Sequence, residues 1–190
     1  DFYRAKANIN GIGVEFITNN SHQFDFWTSN WFLLKDMKTR VFLYSLDGVE
    51  DIEPTIYYCK ERHTSIFINY DYYGQCKSRG TLGPSSSILA EEFGVHSIHG
   101  ACADINGKGV VLIAPTGTGK TTQSFKLFLR PDGRILGDDW VYVNFHEGNP
   151  KSTLIATQPE KSLYMRTENE KDFTWLRYIF DKCKCENIVI

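Results

Sequence analysis

The spacing of apolar and polar residues along the chain changes near residue 75. Before that point, short apolar and aromatic runs alternate with polar turn residues, a pattern typical of β-strands. The runs cover residues 13–18, 24–27, 31–34, 41–45, 55–59 and 65–70. We therefore expect a β-rich N-terminal region, an antiparallel meander that packs on the rest of the chain.

Beyond a loop expected at residues 74–83, the pattern alternates between helix and strand. Helices are predicted at residues 85–93, 120–129 and 172–182, and strands at residues 95–104 (one or a pair), 110–113, 134–143 and 153–166 (one or two). Turns are predicted at residues 106–109, 131–133 and 147–150. The pattern indicates an α/β (α+β) fold in which residues 1–83 form the N-terminal region and residues 84–190 form the core.

The composition is that of an ordinary globular protein, with 42% hydrophobic and 23% charged residues among 190. The net charge of −2 gives no reason to expect a nucleic acid or an anionic membrane as a partner. No apolar run is as long as a membrane span, and the five cysteines are scattered, which favours reduced thiols and a cytoplasmic location. Cys183 and Cys185 are weak support for a metal site, and a solvent-side turn is the preferred interpretation.

A phosphate-binding loop is predicted between the strand at residues 110–113 and the helix that follows. The apolar, β-branched strand is expected to be buried on both faces. Gly117 and Gly119 are able to adopt positive φ, so that backbone N–H groups surround an anion. Lys120 then reaches the β- and γ-phosphates, and the Thr121 hydroxyl is placed to bind Mg²⁺. The predicted nucleotide-binding residues are Ala114, where the pattern usually has glycine, Pro115, Thr116, Gly117, Thr118, Gly119, Lys120, Thr121 and Thr122.

Two adjacent carboxylates, Asp138 and Asp139, interrupt the apolar strand at residues 134–143. Such a pair costs free energy unless it is solvated or used, and a surface turn is the alternative interpretation. Next to a phosphate loop, one carboxylate is able to hold Mg²⁺ and the other to accept the proton of an attacking hydroxyl. Because adjacent strand residues point to opposite faces, we expect the pair to divide these roles.

Several motifs follow one another in the order seen in the HPr kinase/phosphorylase family. They are Ile98-His99-Gly100, Asp104, residues 109–113, Gly117-x-Gly119-Lys120-Thr121 and Gly137-Asp138-Asp139. The glycine loop with Thr122 and the acidic pair is also similar to ATP-dependent phosphoenolpyruvate carboxykinase, which shares a nucleotide-binding core with that family. The resemblance covers about residues 95–145. It implies a core of this type that takes ATP or another nucleoside triphosphate with Mg²⁺ or Mn²⁺.

The resemblance also implies a role for each matching residue. Lys120 and the loop amides bind the phosphates, while Thr121 and Asp139 bind the metal ion. Asp138 resembles the general base of the kinases, and His99 matches a histidine near the reacting phosphate that polarises this base. A structural histidine is the alternative for His99. Arg166 is a further candidate to approach the γ-phosphate, although an ordinary surface arginine is the simpler interpretation.

The residues together favour an enzyme, an ATP- and Mg²⁺-dependent phosphotransferase that moves the γ-phosphate to a hydroxyl of a protein or a small molecule. One alternative is a carboxykinase-like lyase, which needs cationic groups for a carboxylate substrate that the sequence does not display. Another is a non-catalytic nucleotide-binding sensor. By analogy alone, the resemblance implies a homo-oligomer, because related kinases form rings.

Overall fold

A computed structural model describes residues 1–115, 117–146 and 153–182 of the chain. The fold is mixed α/β, and the described residues form three sheets with several helices. Thr116, the turn predicted at residues 147–150, and Cys183 and Cys185 lie outside the described residues. Among the described residues, Cys59, Cys76 and Cys102 form no disulfide. Among the helices described, none is both long and apolar enough to cross a membrane.

The N-terminal region forms a mixed six-stranded sheet. Its strands are β1 (Tyr3–Ile9), β2 (Ile12–Thr18), β3 (Phe32–Leu33), β4 (Thr39–Leu46), β5 (Thr55–Cys59) and β6 (Thr64–Ile68), in the order β3-β1-β2-β4-β6-β5. Strand β4 pairs in parallel with both β2 and β6, while the other pairs are antiparallel. The predicted antiparallel meander is therefore wrong, because parallel neighbours need a crossover between them.

One crossover is α1 (Ser21–Asn30), which replaces the strand predicted at residues 24–27. The Asn20 side chain caps this helix by accepting a hydrogen bond of 3.1 Å from the Gln23 backbone N–H. Trp27 on its inner face is fully buried and stacks on Phe16 of the sheet, with ring centroids 5.2 Å apart. Burial of such aromatic surface holds the helix on the sheet.

Two helices in direct succession follow the six-stranded sheet. A π-helix covers Tyr72–Leu82 and α2 covers Gly83–Phe93. The loop predicted at residues 74–83 is wrong, whereas the helix predicted at residues 85–93 and its stop at Gly94, with φ of 63°, are confirmed. Both helices pack against strands of the N-terminal region, where most of the buried apolar residues lie.

The second half of the chain forms two three-stranded sheets. Their strands are β7 (Val95–His99), β8 (Ala101–Ile105), β9 (Lys108–Leu112), β10 (Gly133–Gly137), β11 (Trp140–His146) and β12 (Thr153–Thr157), in the orders β10-β8-β9 and β12-β11-β7. Of the alternatives predicted for residues 95–104, two strands are found, β7 and β8, and they lie in different sheets. The hairpin turn predicted at residues 106–109, with positive φ at Asn106 and Gly107, is confirmed. The prediction of a strand buried on both faces at residues 110–113 is wrong, because β9 is only half-buried and Ile113 is 67% exposed.

The order β10-β8-β9 brings the two predicted motifs to one edge. Strands β9 and β10 both run antiparallel to β8, so they run in the same direction as each other. The helix α3 (Lys120–Phe128) connects them and packs against β8 and β10. The phosphate loop follows β9 and the acidic pair follows β10, so both leave the sheet at the same edge.

The C-terminal part is less regular than predicted. Of the one or two strands predicted at residues 153–166, one is present and it ends at Thr157. A short 3₁₀-helix follows at Thr167–Lys171, and the helix predicted at residues 172–182 is reduced to a second 3₁₀-helix (Thr174–Leu176) and α4 (Arg177–Phe180). Phe173 and Leu176 are buried against Phe125 of α3. This small aromatic cluster anchors the segment without a long helix.

Candidate functional site

The two glycines of the predicted phosphate loop have the positive φ that the motif indicates. Gly117 has φ of 81° and Gly119 has φ of 91°, and a Cβ built on either would meet no described atom within 4 Å outside the adjacent residues. Helix α3 starts at Lys120, so its first N–H groups face the loop. The Lys120 ammonium donates to the Ala114 carbonyl at 2.7 Å, which keeps the lysine folded over the loop.

Asp138 lies beside the start of α3. Its carboxylate accepts hydrogen bonds from the Thr121 hydroxyl at 2.9 Å and from the Ser124 hydroxyl at 3.1 Å. Burial raises the pKa of Asp138 above its ordinary value, although these two hydrogen bonds act in the opposite direction. Thr121 therefore contacts Asp138, whereas the resemblance implies that Thr121 and Asp139 bind the metal ion together. The predicted roles of the two carboxylates stay predictions.

Asp139 points to a different set of groups. One carboxylate oxygen lies 2.8 Å from the Lys77 ammonium, and the other lies 3.2 Å from His99 Nε2. Its backbone carbonyl accepts a hydrogen bond of 3.2 Å from the Gly100 N–H. His99 is 52% exposed and Asp139 30%, so the pair borders solvent while Lys77 lies behind it. The two carboxylates therefore contact different groups, and the division of roles expected for them stays a prediction.

Lys77 is a buried cation that the sequence analysis did not single out. Its side chain has 0% exposure and lies between Asp139 and Glu160, whose carboxylate is 2.9 Å away. The ammonium also lies 4.8 Å from the centre of the Tyr73 ring and 5.2 Å from that of Tyr164. Burial alone would lower the pKa of Lys77, but the charges of Glu160 and Asp139 outweigh it and the pKa is raised.

No sequence motif marks Lys77 or Glu160, because each is defined by contacts that are distant along the chain. Lys77 lies in the segment predicted as a loop, and Glu160 follows β12 in a segment without regular structure. The Glu160 carboxylate also accepts a hydrogen bond of 3.2 Å from the Asn30 side chain, at the end of α1. A buried lysine between two tyrosines is visible only once the fold is known.

The acidic pair lies where the chain passes from one small sheet to the other. Strand β10 belongs to one sheet and β11 to the other, and the chain makes a second passage between them at Gly100, from β7 to β8. A Cβ on Gly100 would lie 2.7 Å from the Leu112 carbonyl oxygen, at the end of the strand that leads into the phosphate loop. Glycine at this position therefore allows the close approach of the three segments.

Arg166 lies outside the hydrogen bonds of this site. It is exposed, and its charge acts with that of Lys77 against the rise that burial causes in the pKa of Tyr73.

The described residues contain no group of three His, Cys, Asp or Glu side chains that would hold a metal ion. A cavity of about 350 Å³ lies elsewhere, on the N-terminal sheet near Ile56, Phe67 and Arg79.

Comparisons with known proteins give no family assignment. No protein-family model matches the chain, and no significant match to a curated protein is found. The similarity to the HPr kinase and carboxykinase families therefore stays a prediction that depends on the motifs.

Proposed function

We propose that the protein is an ATP- and Mg²⁺-dependent phosphotransferase whose core is of the HPr kinase type. The observation that carries the proposal is the contact of the Asp138 carboxylate with the Thr121 hydroxyl, 2.9 Å apart at the end of the glycine loop. In P-loop enzymes a hydroxyl directly after the lysine and a carboxylate from a nearby strand hold the metal ion together. The pairing of these two groups across 17 positions supports the same use here.

The oxygen atoms of the Thr121 and Asp138 side chains are of the kind that binds Mg²⁺. This ion prefers oxygen ligands and is commonly held by one or two protein groups, with water and phosphate oxygens completing the set. The Thr121 hydroxyl and the Asp138 carboxylate are such groups, so a third carboxylate is not needed. When bound there, Mg²⁺ would neutralise negative charge on the β- and γ-phosphates.

The remaining groups have complementary tasks in this proposal. The loop N–H groups and the start of α3 bind the phosphates, and Lys120 exchanges its hydrogen bond to the Ala114 carbonyl for one to a phosphate oxygen. Asp139 and His99 then lie on the solvent side of the acidic pair, where an acceptor hydroxyl is able to approach. Because Asp139 and His99 contact each other on this side, we favour them, rather than Asp138, as the group that accepts the hydroxyl proton.

The carboxykinase-like alternative receives no support from Lys77. That reaction needs a cation available to a substrate carboxylate, but Lys77 is fully buried and its ammonium already binds Asp139 and Glu160. The nucleotide sensor remains the competing function, because every contact at the phosphate loop serves binding as well as transfer.

The experiment that tests the proposal follows the γ-phosphate. The protein is incubated with γ-labelled ATP, Mg²⁺ and a cell extract that is afterwards separated into protein and metabolite fractions. We expect label in one fraction, which names the class of acceptor. Nucleotide binding without label in either fraction would reject the phosphotransferase and leave the sensor.

Two matched variants of the acidic pair test the division of roles. Asp138→Asn is expected to weaken the Mg²⁺ dependence of ATP binding, because it removes a charged metal ligand. Asp139→Asn is expected to leave ATP binding with Mg²⁺ intact and to lower transfer by roughly 100-fold or more, the scale of a lost general base. The opposite result would restore the assignment made from the sequence, with Asp138 as base and Asp139 at the metal.

A further inference from the structure

We infer that Lys77 is a positioning residue for phosphoryl transfer, which holds the Asp139 carboxylate against His99 from behind the site. The inference deepens the proposed function and depends on it for its kinetic consequence. It also predicts that Asp139 separates from His99 when Lys77 is lost, and this consequence does not depend on any reaction.

The geometry around Asp139 leaves its side chain one orientation. Lys77 binds one carboxylate oxygen at 2.8 Å, and this bond leaves the other oxygen facing His99 Nε2 at 3.2 Å. The Gly100 N–H holds the Asp139 backbone at the same place. A carboxylate bound on the buried side by a cation and on the exposed side by an imidazole has a fixed orientation before any substrate arrives.

Lys77 is itself held by groups from other parts of the chain. Glu160 binds the ammonium at 2.9 Å, and the rings of Tyr73 and Tyr164 lie on its sides. Glu160 is in turn bound to Asn30 at the end of α1. These contacts restrict the ammonium to one place, so it is able to act as a fixed point for Asp139.

The charges show why a lysine is needed there. Without Lys77, the buried Glu160 carboxylate and the half-buried Asp139 carboxylate would lie close together with no cation between them, and they would repel each other. Glu160 is 5% exposed and is not able to move into solvent, whereas Asp139 is 30% exposed and is able to turn outwards. Loss of the cation is therefore expected to displace Asp139 from His99 rather than to displace Glu160.

The test uses a pair of variants that separates positioning from stability. Lys77→Met alone removes the cation that the Asp139 and Glu160 carboxylates share, so this variant is expected to unfold at a lower temperature. The double variant Lys77→Met/Glu160→Gln removes one positive and one negative charge, so it is expected to regain a folded state. Glu160→Gln alone is the matched control, because the amide oxygen is able to replace Glu160 Oε1, which binds both Lys77 and Asn30, and the bond between Lys77 and Asp139 is kept.

The kinetic readout is transfer from γ-labelled ATP with Mg²⁺ to the acceptor fraction. We expect the folded double variant to bind ATP as the wild type does, and its kcat to fall on the order of 100-fold, the scale of a misplaced catalytic group. Glu160→Gln is expected to retain wild-type kcat. Wild-type transfer by the double variant would overturn the inference, and so would a loss of ATP affinity equal to the loss of kcat.

A crystal structure of the double variant distinguishes failure of this inference from failure of the proposed function. We expect Asp139 Oδ1 and His99 Nε2 to lie beyond hydrogen-bond distance in that structure. If the wild type transfers no phosphate but this separation is seen, the proposed function fails and the positioning role of Lys77 stands. If the two atoms remain in contact without Lys77, the positioning role is overturned whatever the activity.

Discussion

At the scale of single residues, two hydroxyls of one helix hold the same carboxylate. Thr121 and Ser124 both donate to Asp138, at 2.9 and 3.1 Å. Thr121 is at the start of α3 beside the glycine loop, whereas Ser124 is one turn further on and is buried. The two hydroxyls therefore make the same hydrogen bond at different distances from the proposed phosphate site.

This difference predicts unequal effects of removing each hydroxyl. Thr121→Val is expected to raise the Mg²⁺ concentration needed for ATP binding by roughly 10-fold or more, because one ligand of the metal is lost. Ser124→Ala is the matched control, expected to leave the Mg²⁺ dependence unchanged and to lower the free energy of unfolding by roughly 1 kcal/mol. Isothermal titration of ATP at several Mg²⁺ concentrations measures the first effect. Equal Mg²⁺ dependence in both variants would contradict the proposed metal site.

Single residues of the site differ in how far the sequence predicts them. The positive φ of Gly117 and Gly119 and the helix start at Lys120 follow from local chemistry, and the motif predicts them correctly. Lys77 and its bond to Asp139 join positions 62 apart in the chain, and no local pattern encodes that contact. The charge that fixes the proposed proton acceptor is therefore available only from the fold.

At the scale of elements, helix α1 shows how polar residues conceal a helical pattern. Its buried residues are Gln23, Phe26, Trp27 and Asn30, the spacing of one helix face. Two of the four are polar and bind other parts of the chain, so the apolar pattern alone shows only the alternation of Phe24 and Phe26. That alternation is typical of a strand, which explains the wrong prediction at residues 24–27.

The π-helix at Tyr72–Leu82 was missed for a related reason. A π-helix has a wider repeat than the 3.6 residues of an α-helix, so a search for α-helical spacing does not find it. It also contains two glycines, which normally indicate a loop. Gly80 faces the sheet, where a Cβ would lie 2.6 Å from Leu43 Cδ1 and 2.9 Å from Phe67 Cε2.

These glycines provide a matched pair of variants. Gly80→Ala is expected to lower the free energy of unfolding by about 1–3 kcal/mol, because Leu43 and Phe67 are buried and have little room to move. Gly74→Ala is expected to be neutral or slightly stabilising, since its Cβ would meet only Asp71 Oδ1 at an ordinary 3.7 Å. Urea unfolding of both variants measures the difference. A larger loss from Gly74→Ala would show that the π-helix packs differently.

At the scale of the whole molecule, the N-terminal sheet and the later strands share one core. Tyr142 of β11 is fully buried and belongs to the same apolar cluster as the residues of the six-stranded sheet. Its hydroxyl lies 3.2 Å from the Ser86 hydroxyl of α2. The boundary predicted after residue 83 falls at the first residue of α2, which follows the π-helix directly, and it stays a prediction.

The burial of Tyr142 predicts a loss of stability at alkaline pH. Burial raises the pKa of Tyr142 from 10.0 to about 12. Between these values the folded protein keeps the phenol proton and the unfolded chain releases it, so the free energy of unfolding falls as the pH rises. The full loss is about 3 kcal/mol, since each pKa unit corresponds to about 1.4 kcal/mol. Denaturant unfolding across this pH range measures the slope.

The matched variant for this prediction is Tyr142→Phe. It retains the buried ring and removes the ionisable group, so its stability is expected to fall less steeply with pH over the same range. An identical slope in the two proteins would show that Tyr142 does not contribute to the alkaline loss.

Asp138 and Asp139 are neighbours in the chain, but their side chains bind different parts of the molecule. The first is tied to the helix behind the glycine loop, and the second to a lysine from the N-terminal region. A small rotation of one three-stranded sheet against the other would thus pull the two carboxylates apart instead of carrying them together. The distance between the proposed metal ligand and the proposed proton acceptor would then depend on how firmly the N-terminal region holds Asp139. We therefore expect mutations far from the nucleotide to alter the rate of transfer without changing any contact with the nucleotide.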